Sequence, residues 1–215
     1  MKEKRTLSMK KIVAILMALA VLFSFAMAEV TPTNLSSSQK QTATATAAPT
    51  AEPAAAAEPA VVNFREALTA DQLAAGTYVQ VLELPLQYWV ANDVFTNEEV
   101  PAEEGYEETI AILAFIANPE EKIVIDCGET ELDFDTFYGN LTAEDMKDYF
   151  SDVTRATVNG MDCAAYLCLN EDGTKTRTVE YFSENTFVKF AWPETEDDDF
   201  DNFATMTATS LEAIQ

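Results

Sequence analysis

Carboxylates are the side chains best able to carry chemistry in this chain, and one group has the spacing of a metal site. The sequence holds 37 aspartates and glutamates against 13 lysines and arginines. Asp197, Asp199 and Asp201 alternate as the first ligands of a calcium loop do, and calcium prefers oxygen donors. The loop is incomplete, because Asn202 stands at the glycine position and Ala208 at that of the bidentate glutamate. We therefore expect a solvated acidic run before a helix, with calcium binding as the alternative.

A second group of carboxylates could supply the acid pair of a glycosidase, in which one acid protonates the leaving group and the other is base or nucleophile. Its members are Asp126, Glu129, Glu131, Asp133 and Asp135. So acidic a chain offers many such pairs by chance, and a carboxylate-dependent hydrolase is therefore only a second alternative. We expect no catalytic residue, no metal site and no cofactor site.

Nucleophilic chemistry is restricted by composition. The chain has no histidine, so a serine or cysteine triad with a histidine base cannot form. Of the three cysteines, Cys163 and Cys168 lie on one predicted strand, roughly 16 Å apart at about 3.3 Å per residue, which is too far for a disulfide. Only Cys127 could pair with either of them. We expect all three cysteines to be small buried hydrophobic residues. A single disulfide between Cys127 and either of the other two is the alternative.

Aromatic residues are the remaining candidates for a binding site. Tyr88, Trp89, Tyr106 and Trp192 could form a platform for a sugar or another flat ligand, because rings offer a large contact area. Packing in the core is the expected role of the two tryptophans.

The elements that would position these residues are clearest in residues 156–192. Asn159-Gly160 favours a type I′ hairpin, because both of its central residues need positive φ. The segment 161–169 then alternates, with apolar residues at its odd positions, and strands at 174–182 and 187–192 follow. This pattern predicts an antiparallel meander. Its second face is mixed, so we expect helices to cover part of it.

Two helices are expected around the meander. Thr142 and Asp145 have the spacing of a capping box, and the following apolar residues continue at helical spacing: Met146, Tyr149, Phe150 and Val153. An apolar stripe after residue 199 predicts a closing helix. Further strands are expected at 77–82, 110–116 and 122–125, with another helix at 63–74 and an acidic loop at 92–108.

Several short segments carry a resemblance to a known family. They are Leu84-Pro85 with Trp89 after an early strand, Val158-Asn159-Gly160 leading into Met161-Asp162-Cys163-Ala164-Ala165-Tyr166, Tyr181-Phe182 before Asn185 and Phe187, and Phe203 with Ser210-Leu211 in the last helix. With these segments, residues 77–211 resemble the Mog/PsbP-like α/β/α sandwiches. The resemblance implies an α+β fold in which a central antiparallel β-sheet meander is flanked by helices. The family includes extrinsic photosystem subunits, a nuclear-transport cofactor and exported bacterial proteins, mostly binding modules, and no catalytic set carries over.

The chain divides into three regions by composition. Residues 1–28 have a basic start, an apolar run and the small-x-small sequence Ala26-Met27-Ala28, which predicts a signal peptide cleaved after Ala28. Retention as an anchor is the alternative, because the apolar run is at the lower bound for a membrane span. Residues 29–60, rich in alanine, threonine and proline, are expected to be a disordered linker. Residues 61–215 are expected to form a single globular α+β domain.

The charge of the chain limits its partners. A net charge of −24 argues against nucleic acid, whose binding needs clustered lysine and arginine. An anionic membrane surface would repel the domain, so membrane contact is expected only through an uncleaved N-terminal segment. We expect a secreted or cell-surface, non-enzymatic binding domain with an unknown protein or small ligand as partner. A calcium or small-ligand binding module and a carboxylate-dependent hydrolase are the alternatives.

Overall fold

The computed structural model describes residues 60–183 and 185–214, and the predicted signal peptide and linker lie outside these residues except for Ala60. Ala60 is already the first residue of a strand. In the described part of the chain, no helix is long and apolar enough to span a membrane.

Eleven strands and four α-helices make up the described residues. The strands are β1 (Ala60–Val62), β2 (Gly76–Gln80), β3 (Leu86–Ala91), β4 (Phe95–Glu98), β5 (Thr109–Phe115), β6 (Asn118–Glu129), β7 (Phe150–Val158), β8 (Met161–Leu169), β9 (Lys175–Ser183), β10 (Thr186–Pro193) and β11 (Glu212–Ala213). The helices are α1 (Phe64–Ala67), α2 (Ala70–Leu73), α3 (Phe134–Leu141) and α4 (Asp198–Ala208), and one 3-10 turn spans Glu144–Met146.

Eight strands form the central sheet, in the order β1-β7-β8-β9-β10-β6-β5-β4. Strands β7 to β10 are successive antiparallel neighbours, which confirms the predicted meander. The predicted hairpin is also present, with φ of 50° at Asn159 and 83° at Gly160, as a type I′ turn requires. Strand β1 pairs with β7 in parallel. A second sheet has the order β11-β3-β2.

The main core lies between the central sheet, the three-stranded sheet and α4. Ile123, Ile125 and Phe190 of the central sheet pack in one cluster with Phe200 of α4 and Leu86 of β3. The opposite face of the central sheet, called the outer face below, carries a smaller cluster formed by Phe134 and Leu141 of α3 with Ala164 of β8. The fold is mostly sheet, and its helices cover only part of each face.

The predicted helix after Thr142 is wrong. The helix lies earlier, in α3, where Asp133 caps the N-terminus by accepting a hydrogen bond from the Thr136 amide at 2.8 Å. Thr142 stands at the other end, and its hydroxyl donates to the Tyr138 carbonyl at 3.0 Å. Phe150 belongs to β7 and pairs with Cys168 on β8. Pairing with β8 therefore overrides a helical spacing of apolar residues.

Two further segments differ in detail from the prediction. The predicted helix at 63–74 is split into α1 and α2, because Leu68 and Thr69 are extended. The capping box that does form is here, between Thr69 and Gln72. The predicted loop at 92–108 contains β4, which pairs with β5.

Candidate functional site

A cleft of about 600 Å³ opens between the two sheets, where each sheet ends. Strand β2 is the last strand of the small sheet and β4 the last of the central sheet. Strands β2 to β5 and the turns between them supply the lining, from Thr77, Val79, Gln80, Leu82, Tyr88, Val90, Ala91, Asn92, Asp93, Phe95, Asn97, Ile110, Ala111 and Leu113.

Strand alternation explains which residues of β3 face the cleft. Trp89 points to the other side, is 2% exposed, and donates from Nε1 to the Leu73 carbonyl at 3.1 Å. The Trp89 amide donates to the buried Ser210 hydroxyl at 2.6 Å. Because successive strand residues point to opposite faces, Tyr88 and Val90 line the cleft. The anchoring of Trp89 therefore fixes one wall of the cleft.

The close packing of Trp89 also explains a glycine in β2. A Cβ atom built on Gly76 would lie 2.0 Å from the Trp89 ring. No side chain fits at that position, so the ring is held directly against the β2 backbone.

The cleft is floored by apolar and aromatic side chains. Leu113 of β5 belongs to the main core, and Phe95 of β4 packs against Phe115 with ring centroids 6.0 Å apart. Tyr88 meets Phe190 edge-on at 5.6 Å. Burial raises the pKa of Tyr88 to about 12, so its hydroxyl stays neutral. The floor therefore favours an uncharged, apolar group of a ligand.

The rim of the cleft carries neutral polar groups and one charge. Thr77 donates to the Asn92 side-chain oxygen at 2.8 Å, and Gln80 donates from Nε2 to the Leu84 carbonyl at 3.0 Å. Asp93 is the one ionisable carboxylate among the described lining residues. A pair of facing carboxylates is therefore not among the lining residues that the structure describes.

Two turn residues at the cleft have left-handed backbone conformations. Leu82 has φ of 47° and Asp93 has φ of 61°. This conformation is unfavourable for a leucine, and such strained residues concentrate at functional sites. Leu82 is also 61% exposed, so burial of its own side chain does not compensate for the strain.

A separate charged network crosses the outer face of the central sheet. Glu180 on β9, Lys189 on β10 and Asp126 on β6 are register neighbours. Lys189 Nζ lies 2.7 Å from Asp126 Oδ2, and Thr109 donates to Asp126 Oδ1 at 2.7 Å. The Tyr166 hydroxyl donates to Glu180 Oε2 at 2.7 Å. Both carboxylates thus have partners within the protein.

Glu180 is the perturbed acid of this network. It is 8% exposed. Burial raises the pKa of its carboxyl, and nearby Asp126 and Glu108 raise it further, while the Tyr166 hydrogen bond and Lys189 lower it. A raised pKa alone does not make a catalytic acid, because ion-pair networks in the framework of a protein also perturb pKa values.

The five carboxylates considered for a glycosidase do not meet in one site. Asp126 lies in the outer-face network, Asp133 caps α3, and Asp135 Oδ1 accepts from Arg155 at 2.7 Å. Glu129 and Glu131 are exposed. Hydrogen bonds from Thr136, first of all from its backbone amide, lower the pKa of Asp133, as an N-cap role predicts.

Two of the three aspartates considered for calcium use their carboxylates at the start of α4, and Asp199 contributes its backbone amide. Asp197 Oδ1 accepts from the amides of Asp199 at 3.0 Å and Phe200 at 3.1 Å. Asp201 accepts from Trp192 Nε1 at 2.9 Å. Within the described residues, no group of three or more candidate ligands is placed to hold a metal ion. The acidic run expected before the helix therefore reaches the N-cap at Asp197 and continues into the first turn of α4.

The cysteines cannot form the disulfide left open above. Cys163, Tyr181, Val188 and Cys127 are successive register partners on four adjacent strands. Three strand spacings of about 4.8 Å separate the two cysteines by roughly 14 Å. Cys168 pairs with Thr176, farther along the sheet. All three are free thiols, with Cys163 buried and the other two half-buried.

The aromatic platform considered above does not form. Tyr88, Trp89 and Trp192 are all buried, as expected for the two tryptophans, while Tyr106 is 37% exposed. Only Tyr88 of the four lines the cleft. Sequence reasoning missed the cleft itself, because its lining residues come from four strands and the turns between them and carry no motif of their own.

Comparisons with known proteins give structural likenesses of low identity. The sequence matches no family model and no curated protein significantly. The structure is similar to the solution structure of cyanobacterial PsbP (CyanoP) from Synechocystis sp. PCC 6803, at 11% identity and a TM-score of 0.48, covering 68% of this chain and 96% of that one. It is also similar to a crystal structure from Bacteroides thetaiotaomicron VPI-5482, at 13% identity and a TM-score of 0.43.

The extent of these likenesses differs. The second comparison covers 66% of this chain, which spans about half, 49%, of the Bacteroides protein. The described domain is similar in structure to the PsbP protein of the first comparison. The Mog part of the resemblance stays a prediction. At these identities and TM-scores, the likeness carries no argument about function.

Proposed function

We propose that this chain is an exported, non-enzymatic binding domain that holds its ligand in the cleft between β2–β3 and β4–β5. The observation that supports this most is the cleft itself. Its volume of about 600 Å³ is within the range of small-ligand sites, and an apolar floor with a few polar rim groups is their usual composition.

The distribution of ionisable groups favours binding over catalysis. Asp93 is the one carboxylate among the described lining residues, so the described lining supplies no second acid to act with it. The perturbed Glu180 lies on the outer face and already accepts from Tyr166. General acid–base catalysis needs such a group within hydrogen-bond reach of the substrate. The hydrolase alternative therefore has no support from the cleft.

The calcium alternative has a different difficulty. Asp197 uses one carboxylate oxygen to cap α4, and Asp201 accepts from Trp192. Binding calcium through these oxygens would compete with both contacts. The cleft instead favours a small ligand that has an apolar part.

Export is proposed from the N-terminal sequence. The basic start, apolar run and Ala26-Met27-Ala28 are the features of a signal peptide. N-terminal sequencing of protein recovered from the culture medium tests this, with Glu29 expected as the first residue. Membrane-bound protein that keeps the residues before Glu29 would favour a retained anchor instead.

The binding proposal is tested by filling the cleft. Val79 lines it and is 39% exposed, so Val79→Trp adds bulk there without entering the core. Val61→Trp is the matched control, because Val61 is 77% exposed on β1, at the opposite edge of the central sheet. Thermal melts would be measured with soluble cell-wall fragments, lipid monomers and apolar-basic peptides, and with calcium against EDTA.

A ligand at about a hundred times its dissociation constant adds about 2.7 kcal/mol, which raises the midpoint by several degrees. We expect this rise in the unmodified chain and in Val61→Trp, and its loss in Val79→Trp. A rise that survives Val79→Trp would place the ligand outside the cleft and contradict the proposal.

A further inference from the structure

Strand β4 ends the central sheet with free backbone groups. The Ile116 amide donates to the Val94 carbonyl at 2.9 Å, and Phe95 pairs in register with Phe115. Antiparallel hydrogen-bonded positions alternate, so Thr96 and Glu98 also direct their backbone groups to β5. The N–H and C=O groups of Phe95 and Asn97 therefore point away from the sheet.

Nothing within residues 60–183 and 185–214 pairs with this edge, since β4 is the last strand of the sheet. Unpaired edge groups are the usual template for strand addition by another chain. The edge is short, and four residues of β4 would suffice for an added strand of similar length.

The same two residues connect the edge to the cleft. The side chains of Phe95 and Asn97 both line it. A strand added antiparallel to β4 would place the residues opposite these two on the same face of the sheet. Every second side chain of the added strand would then enter the cleft, above the apolar floor that includes Leu113.

The segments that flank β4 in sequence are acidic, with Asp93 before the strand and Glu99 and Glu103 after it. Glu98 lies on the opposite face of β4 and is paired with Lys122 at 2.8 Å. Among the described ion pairs, Asp93, Glu99 and Glu103 have no basic partner. Together with the net charge of −24, they favour a cationic partner.

We propose that the ligand of the cleft is an extended peptide segment of a partner protein, bound by strand addition to β4, with apolar residues at alternate positions and basic residues between them. This inference rests on the proposed function. It adds the chemical class of the ligand and the backbone groups that hold it.

The test uses a fluorescent ten-residue peptide of alternating valine and lysine and the full chain, with affinity measured by fluorescence anisotropy. Two further peptides carry N-methyl groups, one on every valine amide and the other on every lysine amide. All three have the same charge, so general electrostatic attraction cannot distinguish them. In a paired strand, only alternate amides point to β4.

We expect one of the two methylated peptides, and not the other, to lose affinity by about tenfold or more, because it loses at least two main-chain hydrogen bonds. Loss with the valine set means antiparallel addition, and loss with the lysine set means parallel addition. Equal affinity of both methylated peptides, or no binding of the parent peptide at about 1 mM, overturns strand addition.

A protein variant tests the same bonds from the other side. Asn97→Pro removes one outward N–H while keeping the bonds to β5, and proline is tolerated at such edge positions. Asn97→Ala is the matched control that keeps the N–H. We expect several-fold weaker binding of the parent peptide to Asn97→Pro than to Asn97→Ala, and equal affinities would contradict the proposal.

The two proposals can fail separately. If the methylated peptides bind equally but Val79→Trp still weakens binding, strand addition is wrong and the cleft remains the site. If Val79→Trp leaves peptide affinity unchanged, the peptide does not use the cleft and the inference fails with it. Cell-wall fragments or lipid monomers that still require the cleft would keep the proposed function.

Discussion

Asn159 joins the central hairpin to both ends of the described domain, and its replacement should be strongly destabilising. Its Oδ1 accepts from the Phe64 amide at 2.8 Å, next to β1. Its Nδ2 donates to the carbonyls of Leu211 at 2.8 Å and Thr209 at 3.3 Å, beyond α4. Three side-chain hydrogen bonds therefore depend on one amide in a left-handed turn position.

Two substitutions separate the hydrogen bonds from the backbone conformation. Asn159→Gly removes the three bonds and keeps a residue that adopts φ of 50° without strain. At about 1 kcal/mol for each bond, the free energy of unfolding should fall by about 3 kcal/mol. Asn159→Ala should cost about 1–2 kcal/mol more, because alanine is strained in this conformation.

Urea unfolding followed by tryptophan fluorescence measures both values, since Trp89 and Trp192 are buried and will report the transition. A fall in midpoint at constant slope gives the change in stability. Asn170→Gly is the matched control, because the side chain of Asn170 donates to the Thr174 and Thr176 hydroxyls within its own hairpin and does not connect distant segments. We expect it to cost less than about 1 kcal/mol. A loss below about 0.5 kcal/mol for Asn159→Gly would refute the reasoning.

Three other replacements have defined outcomes. Gly76→Ala should lower the melting temperature by several degrees, because its Cβ would meet the Trp89 ring at 2.0 Å, and an unchanged midpoint would contradict this packing. Ser210→Ala should cost about 1–3 kcal/mol in urea unfolding, because the buried Trp89 amide loses its acceptor. Glu180→Gln should raise the free energy of unfolding at pH 7. Burial raises the pKa of Glu180 in the folded state, so ionisation of this carboxyl destabilises the folded state at pH values above that pKa. The advantage of glutamine should disappear as the pH falls through the raised value towards 4.5, the ordinary one, and an advantage independent of pH would contradict the assigned cause.

The meander could be predicted from sequence because its signals are local. Asn159-Gly160 fixes the hairpin, and the apolar odd positions give Met161–Leu169 with the bounds of β8. The mixed second face predicted a helical cover, and α3 packs there against Ala164. Each of these inferences needs only neighbouring residues and the two-residue period of a strand.

The cleft could not be predicted, because it depends on how two sheets pack against each other. Strand β4 lies inside a segment whose acidic composition indicates a loop, and it forms by pairing with β5. Likewise, Thr142 and Asp145 have the spacing of a capping box, but Phe150 and Val153 belong to β7, which pairs with β8. Sheet pairing and packing decide both cases over local propensity.

The measurement that tests the account most directly is a map of amide chemical shifts in labelled protein, by two-dimensional NMR, during titration with the alternating valine-lysine peptide. The account predicts that the largest changes lie in the cleft, at Val79, Phe95 and Leu113. Largest changes on the outer face, around Glu180 and Lys189, would contradict the claim that this domain binds its ligand between the ends of its two sheets.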